Sequence, residues 1–182
     1  MGHLAYDEEV TKIYKITDNV ALTIAGSVGD ALALVRYLRS HAKLFEIERE
    51  TKITPKAVAS LLSNVLNGNR YYPFIFQPIL AGVNNKPELF ELTPYGGIME
   101  KMNYALTGSG TTFAMTTLDR EWKKGLTEKE AIDLAIRAVK SSTHRDIYSG
   151  GDSITVAVID DKGYREIDSS EVEKIMKTVR LN

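Results

Sequence analysis

Two short runs of β-forming residues, Thr11–Ile16 and Val20–Ala25, flank the polar stretch Thr17-Asp18-Asn19, and this arrangement predicts a hairpin. After Gly26-Ser27-Val28-Gly29, apolar residues recur at Leu32, Val35, Leu38, Ala42 and Phe45, which is helical spacing. Thr54-Pro55 then supplies an N-cap and a first-turn proline, with Val58, Leu61, Leu62, Val65 and Leu66 as the apolar stripe of a second helix. The dense apolar run Phe74–Val83 suits a strand buried on both faces, while Pro78 removes one ladder donor and points to an edge or a bulge. Glu88–Thr93 alternates, Pro94-Tyr95-Gly96-Gly97 turns, and Ile98–Lys101 returns. Tyr104–Thr107 reads as a further short strand before Gly108-Ser109-Gly110, with a helix from Thr111. Thr127 and Glu130 form a capping box for a helix with Ala131, Leu134, Ala135 and Ala138 on one face. Ile154–Ile159 and Tyr164–Ile167 flank Asp160-Asp161-Lys162-Gly163, a hairpin signal, and Ser170 with Glu173 caps a last helix.

The order is therefore ββ, αα, ββββ, αα, ββ, α, with no linker and no internal repeat. Strands in runs with helices inserted as pairs exclude the strict alternation of a doubly wound sheet. The expected class is α+β, a four-layer αββα sandwich. Two mostly antiparallel sheets would pack face to face, each covered outside by a helix pair, in one domain over residues 1–182.

Composition narrows the chemistry. The 182 residues carry a formal charge of −1 and no basic block, so neither nucleic acid nor an anionic membrane is an expected partner. There is no cysteine, which rules out disulfides, thiol catalysis and zinc–thiolate sites within the chain. The three histidines, His3, His41 and His144, show no ligand spacing, so no metal is expected. Asp7, Glu8 and Glu9 stand where a signal peptide would be apolar, and a cytoplasmic protein is the expectation.

Five segments carry a family pattern. They are Thr23-Ile24-Ala25-Gly26-Ser27-Val28-Gly29-Asp30, Leu62-Ser63-Asn64-Val65-Leu66-Asn67, Tyr95-Gly96-Gly97, Thr107-Gly108-Ser109-Gly110 and Arg145-Asp146-Ile147-Tyr148-Ser149-Gly150-Gly151. In this order and spacing, from Met1 to about Val179, the chain resembles the archaeal-type proteasome β subunit of the N-terminal-nucleophile hydrolases. The resemblance implies peptide-bond hydrolysis of unfolded polypeptides by a threonine whose own amine serves as base. It implies partners too: other β subunits in a heptameric ring, and α-type ring subunits. No metal or organic cofactor is implied.

Site residues follow from the same resemblance. Lys12 matches the lysine beside the nucleophile, where a buried ammonium would stabilise developing negative charge. The backbone N–H of Gly26 matches the oxyanion-hole donor, at a position where the absence of a Cβ lets a carbonyl approach. Ser109, Asp146 and Ser149 match the polar trio that orients the terminal amine and a water. Ile24 and Val28 match the lining of an apolar side-chain-selecting pocket. Taken singly, each has a plainer reading: Lys12 a solvated strand lysine, Gly26 a strand end, Ser109 a helix N-cap, Asp146 a surface partner of Arg145.

The chain also departs from the pattern. The family's nucleophile lies on strands upstream of the position that Met1 matches, on the order of twenty residues. The sequence as written is therefore expected to lack the nucleophile, and to leave an open sheet edge beside Val20–Ala25. A non-catalytic structural ring subunit is the alternative. A phosphate-binding reading of Gly108-Ser109-Gly110-Thr111-Thr112 lacks the lysine that such a loop uses.

Overall fold

The computed structural model describes residues 11–143, 146 and 153–178. They form two antiparallel sheets and five helices, in the α+β class expected from the sequence. The elements are β1 (Ile13–Thr17), β2 (Val20–Thr23), α1 (Val28–Arg49), α2 (Pro55–Gly68), β3 (Ile79–Asn84), β4 (Lys86–Leu92), β5 (Ile98–Glu100), α3 (Thr111–Glu121), α4 (Glu128–Thr143), β6 (Ala157–Asp160), β7 (Gly163–Glu166) and α5 (Ser169–Thr178). Contacts divide the chain into two compact units. One comprises Lys12–Thr107 with Val158–Arg165, and the other is built on Gly108–Ala157 and the residues from Glu166.

In the first unit the five strands run in the order β1-β2-β3-β4-β5. Val20, Leu22, Ile24, Leu80, Phe90 and Leu92 share one face, on which α1 and α2 lay their own apolar faces to form the core. Burying a leucine of this kind contributes about 1.5–3 kcal/mol. Thr54 caps α2 as expected, its hydroxyl accepting the Ala57 amide at 3.1 Å. The α1 stripe is turned from the expected phase: Ala31 and Leu34 are buried with Val35, Leu38 and Ala42, while Leu32 faces outward.

Pro78 lies in a central position, not at an edge. It precedes β3, which pairs with β2 on one side and β4 on the other. Its carbonyl accepts the Leu92 amide at 3.2 Å, and with no N–H to return the ladder is broken there. On the β2 side the pairing runs on past Pro78 in unchanged register, with Ala25 and Gln77 exchanging both amide bonds and Gly26 opposite Phe76. β2 is likewise interior, so the open edge expected beside Val20–Ala25 is not found at β2. Tyr104–Thr107 forms no strand.

Asn19, in the polar turn between β1 and β2, is buried. Its side-chain amide donates to the carbonyls of Ile53 and Val83 at 3.0 and 3.2 Å, and its oxygen accepts from Thr17 at 2.9 Å. With those bonds made, burial of an amide is tolerated, and the hairpin turn is pinned to the α1–α2 connection.

In the second unit α3 packs against α4 and α4 against α5. The Thr127–Glu130 capping box forms in full: each residue's amide reaches the other's side chain, at 2.8 and 3.3 Å. Ala131 and Ala135 are exposed, whereas Ile132, Leu134, Ile136 and Ala138 are buried, so α4 buries residues all round and not along one stripe. α5 is opened by Asp168, not Ser170: the Asp168 carboxylate accepts the Ser170 amide at 2.8 Å.

Four exposed carboxylates are held below their ordinary ranges. Hydrogen bonding and pairing with Lys15 lowers Asp18, the Thr127 backbone amide and hydroxyl lower Glu130, the Arg165 guanidinium lowers Asp160, and the Ser170 hydroxyl and amide lower Asp168. A depressed folded-state pKa means that the unfolded chain binds protons more readily. The stabilisation is therefore complete above the ordinary values of 3.8 for Asp and 4.5 for Glu, and is lost as pH falls below them. The melting temperature should stay level from about pH 7 to about pH 5 and drop below about pH 4, a drop that added salt reduces. A melting temperature unchanged down to about pH 3 would contradict the assignment.

Candidate active site

Lys12 stands one residue ahead of β1, and its carbonyl accepts the Ile24 amide at 3.0 Å, continuing the β1–β2 register. Amides alternate in direction along a strand. The N–H groups of Ala25 and Ser27 point to β3's side, reaching Gln77 and Ile75 carbonyls at 3.3 and 2.7 Å. That of Gly26 therefore lies with Ile24's on the edge facing β1, and no described residue accepts it. Lys12 and the Gly26 amide thus belong to one end of one sheet. The Lys12 side chain is exposed and not buried as expected, because the residue precedes the first ladder pair of the edge strand.

Gly26 has a φ of +119°, and a Cβ built there would lie 2.1 Å from the Ile75 carbonyl oxygen. The glycine expected from ligand approach is therefore also required internally. Ile24 does not line an open pocket. It is 6% exposed and belongs to the core, since alternation along β2 puts it on the helix-covered face with Val20 and Leu22. Val28 begins α1 and is half-buried.

In the second unit Ser109 and Asp146 come together, hydroxyl to carboxylate, at 2.5 Å. Two contacts place the pair. The Asp146 amide donates to the Ser142 carbonyl at 2.8 Å, and the buried Ser142 hydroxyl donates to the Gly110 carbonyl at 2.8 Å, tying α4 to the Gly-Ser-Gly turn. Ser109 is not the cap of α3: Gly110 takes that position, with no side-chain capping bond. With its proton committed to Asp146, the Ser109 oxygen is left as an acceptor for an N–H or a water. Ser149 and Arg145 lie outside the described residues.

Two other motifs prove to be one structural device. Ser63 donates to the Gly96 carbonyl at 2.5 Å and Asn67 to the Tyr95 carbonyl at 3.3 Å, while a Cβ on Gly96 would lie 2.5 Å from the Ser63 carbonyl oxygen. The sequence reading missed a further contact: Asp30 accepts the Ile75 amide at 2.9 Å. The separation of Asp30 from Ile75 by a helix pair hides that bond from any local pattern. Among the described residues no group of three His, Asp or Glu is placed to hold a metal ion.

Comparison with known proteins completes the picture. The family model described as proteasome subunit matches residues 1–159. A proteasome subunit beta of Methanocaldococcus fervens is 44% identical, over 98% of this chain and 80% of its own length. One of Methanococcus vannielii is 41% identical, over 98% of this chain and 82% of its own. A proteasome subunit beta 1 of Thermococcus onnurineus is 38% identical, over 97% and 86%. On the family match and on this likeness alike, the chain belongs to the proteasome β-subunit family.

Proposed function

We propose that the chain serves in a proteasome core particle that hydrolyses peptide bonds of unfolded polypeptides by a threonine-type mechanism. Membership of the family supports a ring assembly with other proteasome subunits. We read that assembly as a heptameric β ring stacked on α-type subunits in the cytoplasm. The observation that carries the peptidase reading is the Gly26 amide, which has no acceptor among the described residues and lies at the end of the sheet that Lys12 occupies. Such a donor suits a developing oxyanion, and the Lys12 ammonium would stabilise the same charge. Ser109, Asp146 and Ser149 would orient the nucleophile's amine and a water, and Val28 would border the side-chain pocket. All of these are protein groups, so the reading needs no metal or organic cofactor.

A structural ring subunit is the second reading. Co-expression with archaeal α-type subunits separates the possibilities. The expected product is a stack of sevenfold rings containing this chain, visible by electron microscopy, and a chain that never enters a ring would overturn both readings. Labelling of this chain by a peptide epoxyketone, which needs a terminal hydroxyl and a free amine, would establish the threonine mechanism. Rings that contain the chain but resist labelling would leave the structural role.

A further inference from the structure

Ser27, Asp30 and the sequence-distant Ile75 close a ring of hydrogen bonds beside Gly26. The Ile75 amide donates to the Asp30 carboxylate at 2.9 Å, the Asp30 amide to the Ser27 hydroxyl at 3.4 Å, and the Ser27 amide to the Ile75 carbonyl at 2.7 Å. Ser27 is the residue that follows Gly26, and Ile75 carries the carbonyl oxygen against which Gly26 packs with no room for a Cβ.

We propose that Asp30 is a positioning residue for the Gly26 amide. The inference rests on reading Gly26 as the oxyanion donor. Its left-handed φ leaves a glycine free to rotate, and nothing in its own side chain prevents that. The Ile75 carbonyl and the Ser27 amide supply the restraint from outside. Asp30 holds Ile75 to that task by taking its amide, and it does so from the first turn of α1, where a carboxylate is favoured by the helix dipole. A carboxylate acceptor is stronger than a neutral one, so the device fixes the direction of a donor without touching a substrate. Preset aim matters because a misplacement of about 1 Å at a reacting centre costs about 10²-fold in rate.

The experiment uses the ¹⁵N-labelled full chain, as wild type and as Asp30→Ala and Asp30→Asn. In Asp30→Ala, hydrogen exchange at the Ser27 amide should accelerate on the order of 10- to 100-fold, the effect of losing a bond to a charged group. The Gly26 amide resonance should move or broaden, while exchange across the β3–β4 ladder stays at the wild-type rate. Asp30→Asn keeps an acceptor oxygen and should restore both signals most of the way. An Asp30→Ala chain with wild-type Ser27 exchange and an unmoved Gly26 resonance would overturn the proposal. So would equal acceleration at every amide, which marks a purely global loss of stability, or failure of Asp30→Asn to rescue. These signals are independent of peptide cleavage. A core particle inert toward peptides would overturn the peptidase reading and leave the Asp30–Gly26 coupling as measured.

Discussion

Gly26→Ala should destabilise the chain by about 3 kcal/mol or more, lowering the melting temperature by about 6–12 °C. Two costs add. The φ of +119° lies in a region that an L side chain rarely adopts. A methyl group there would also stand 2.1 Å from the Ile75 oxygen and 2.8 Å from its carbonyl carbon, both backbone atoms of a paired strand. Relief would require opening the Gly26–Phe76 bridge and with it the Ser27–Ile75 bond. Gly125 is the control: its φ is +85°, but nothing lies within 4 Å of an added Cβ. Gly125→Ala should cost only the conformational term, about 1–2 kcal/mol. Thermal melts of both variants measure the difference, and equal losses would show that the Ile75 contact is not what requires a glycine at position 26.

Phe76→Ala should cost about 3–5 kcal/mol, because Phe76 is 1% exposed and among the largest fully buried side chains of the first unit's core. Its removal takes away apolar burial and leaves a cavity between the sheet and the helices that cover it. The bridge that joins Phe76 to Gly26 carries the disturbance to the candidate oxyanion donor, so a fold defect and a site defect should appear together. Phe76→Leu retains most of the volume and should cost less than about 1.5 kcal/mol. Tyr72, in the same connection, is 91% exposed, and Tyr72→Ala should stay within about 0.5 kcal/mol. Urea unfolding monitored at unchanged m-value reads all three. A loss below about 1 kcal/mol for Phe76→Ala would mean that the core collapses to fill the site.

What could be read along the chain was local. The hairpins around Asp18 and Asp161, the Thr54 cap with Pro55 behind it, and the Thr127–Glu130 box all lie within a few residues of the atoms they satisfy. Windows of that length contain their physics. The class followed as well, since helices inserted in pairs between runs of strands admit few packings. Tertiary structure decided the rest. Asn19 is a buried clamp because Ile53 and Val83 bring carbonyls to it, and Pro78 is central because β4 arrives from the far side. The turn of α1 that hides Ala31 and exposes Leu32 is set by the sheet beneath it. In the candidate site, Ser109 meets a carboxylate 37 positions away and Asp30 meets an amide 45 positions away. The Asp30 bond depends on β2 lying beside the chain that leads into β3 in this register, and the Ser109 bond on the tie between α4 and the Gly108–Gly110 turn. Side-chain type supplies the donor and the acceptor, but only long-range strand pairing and helix packing place one within reach of the other.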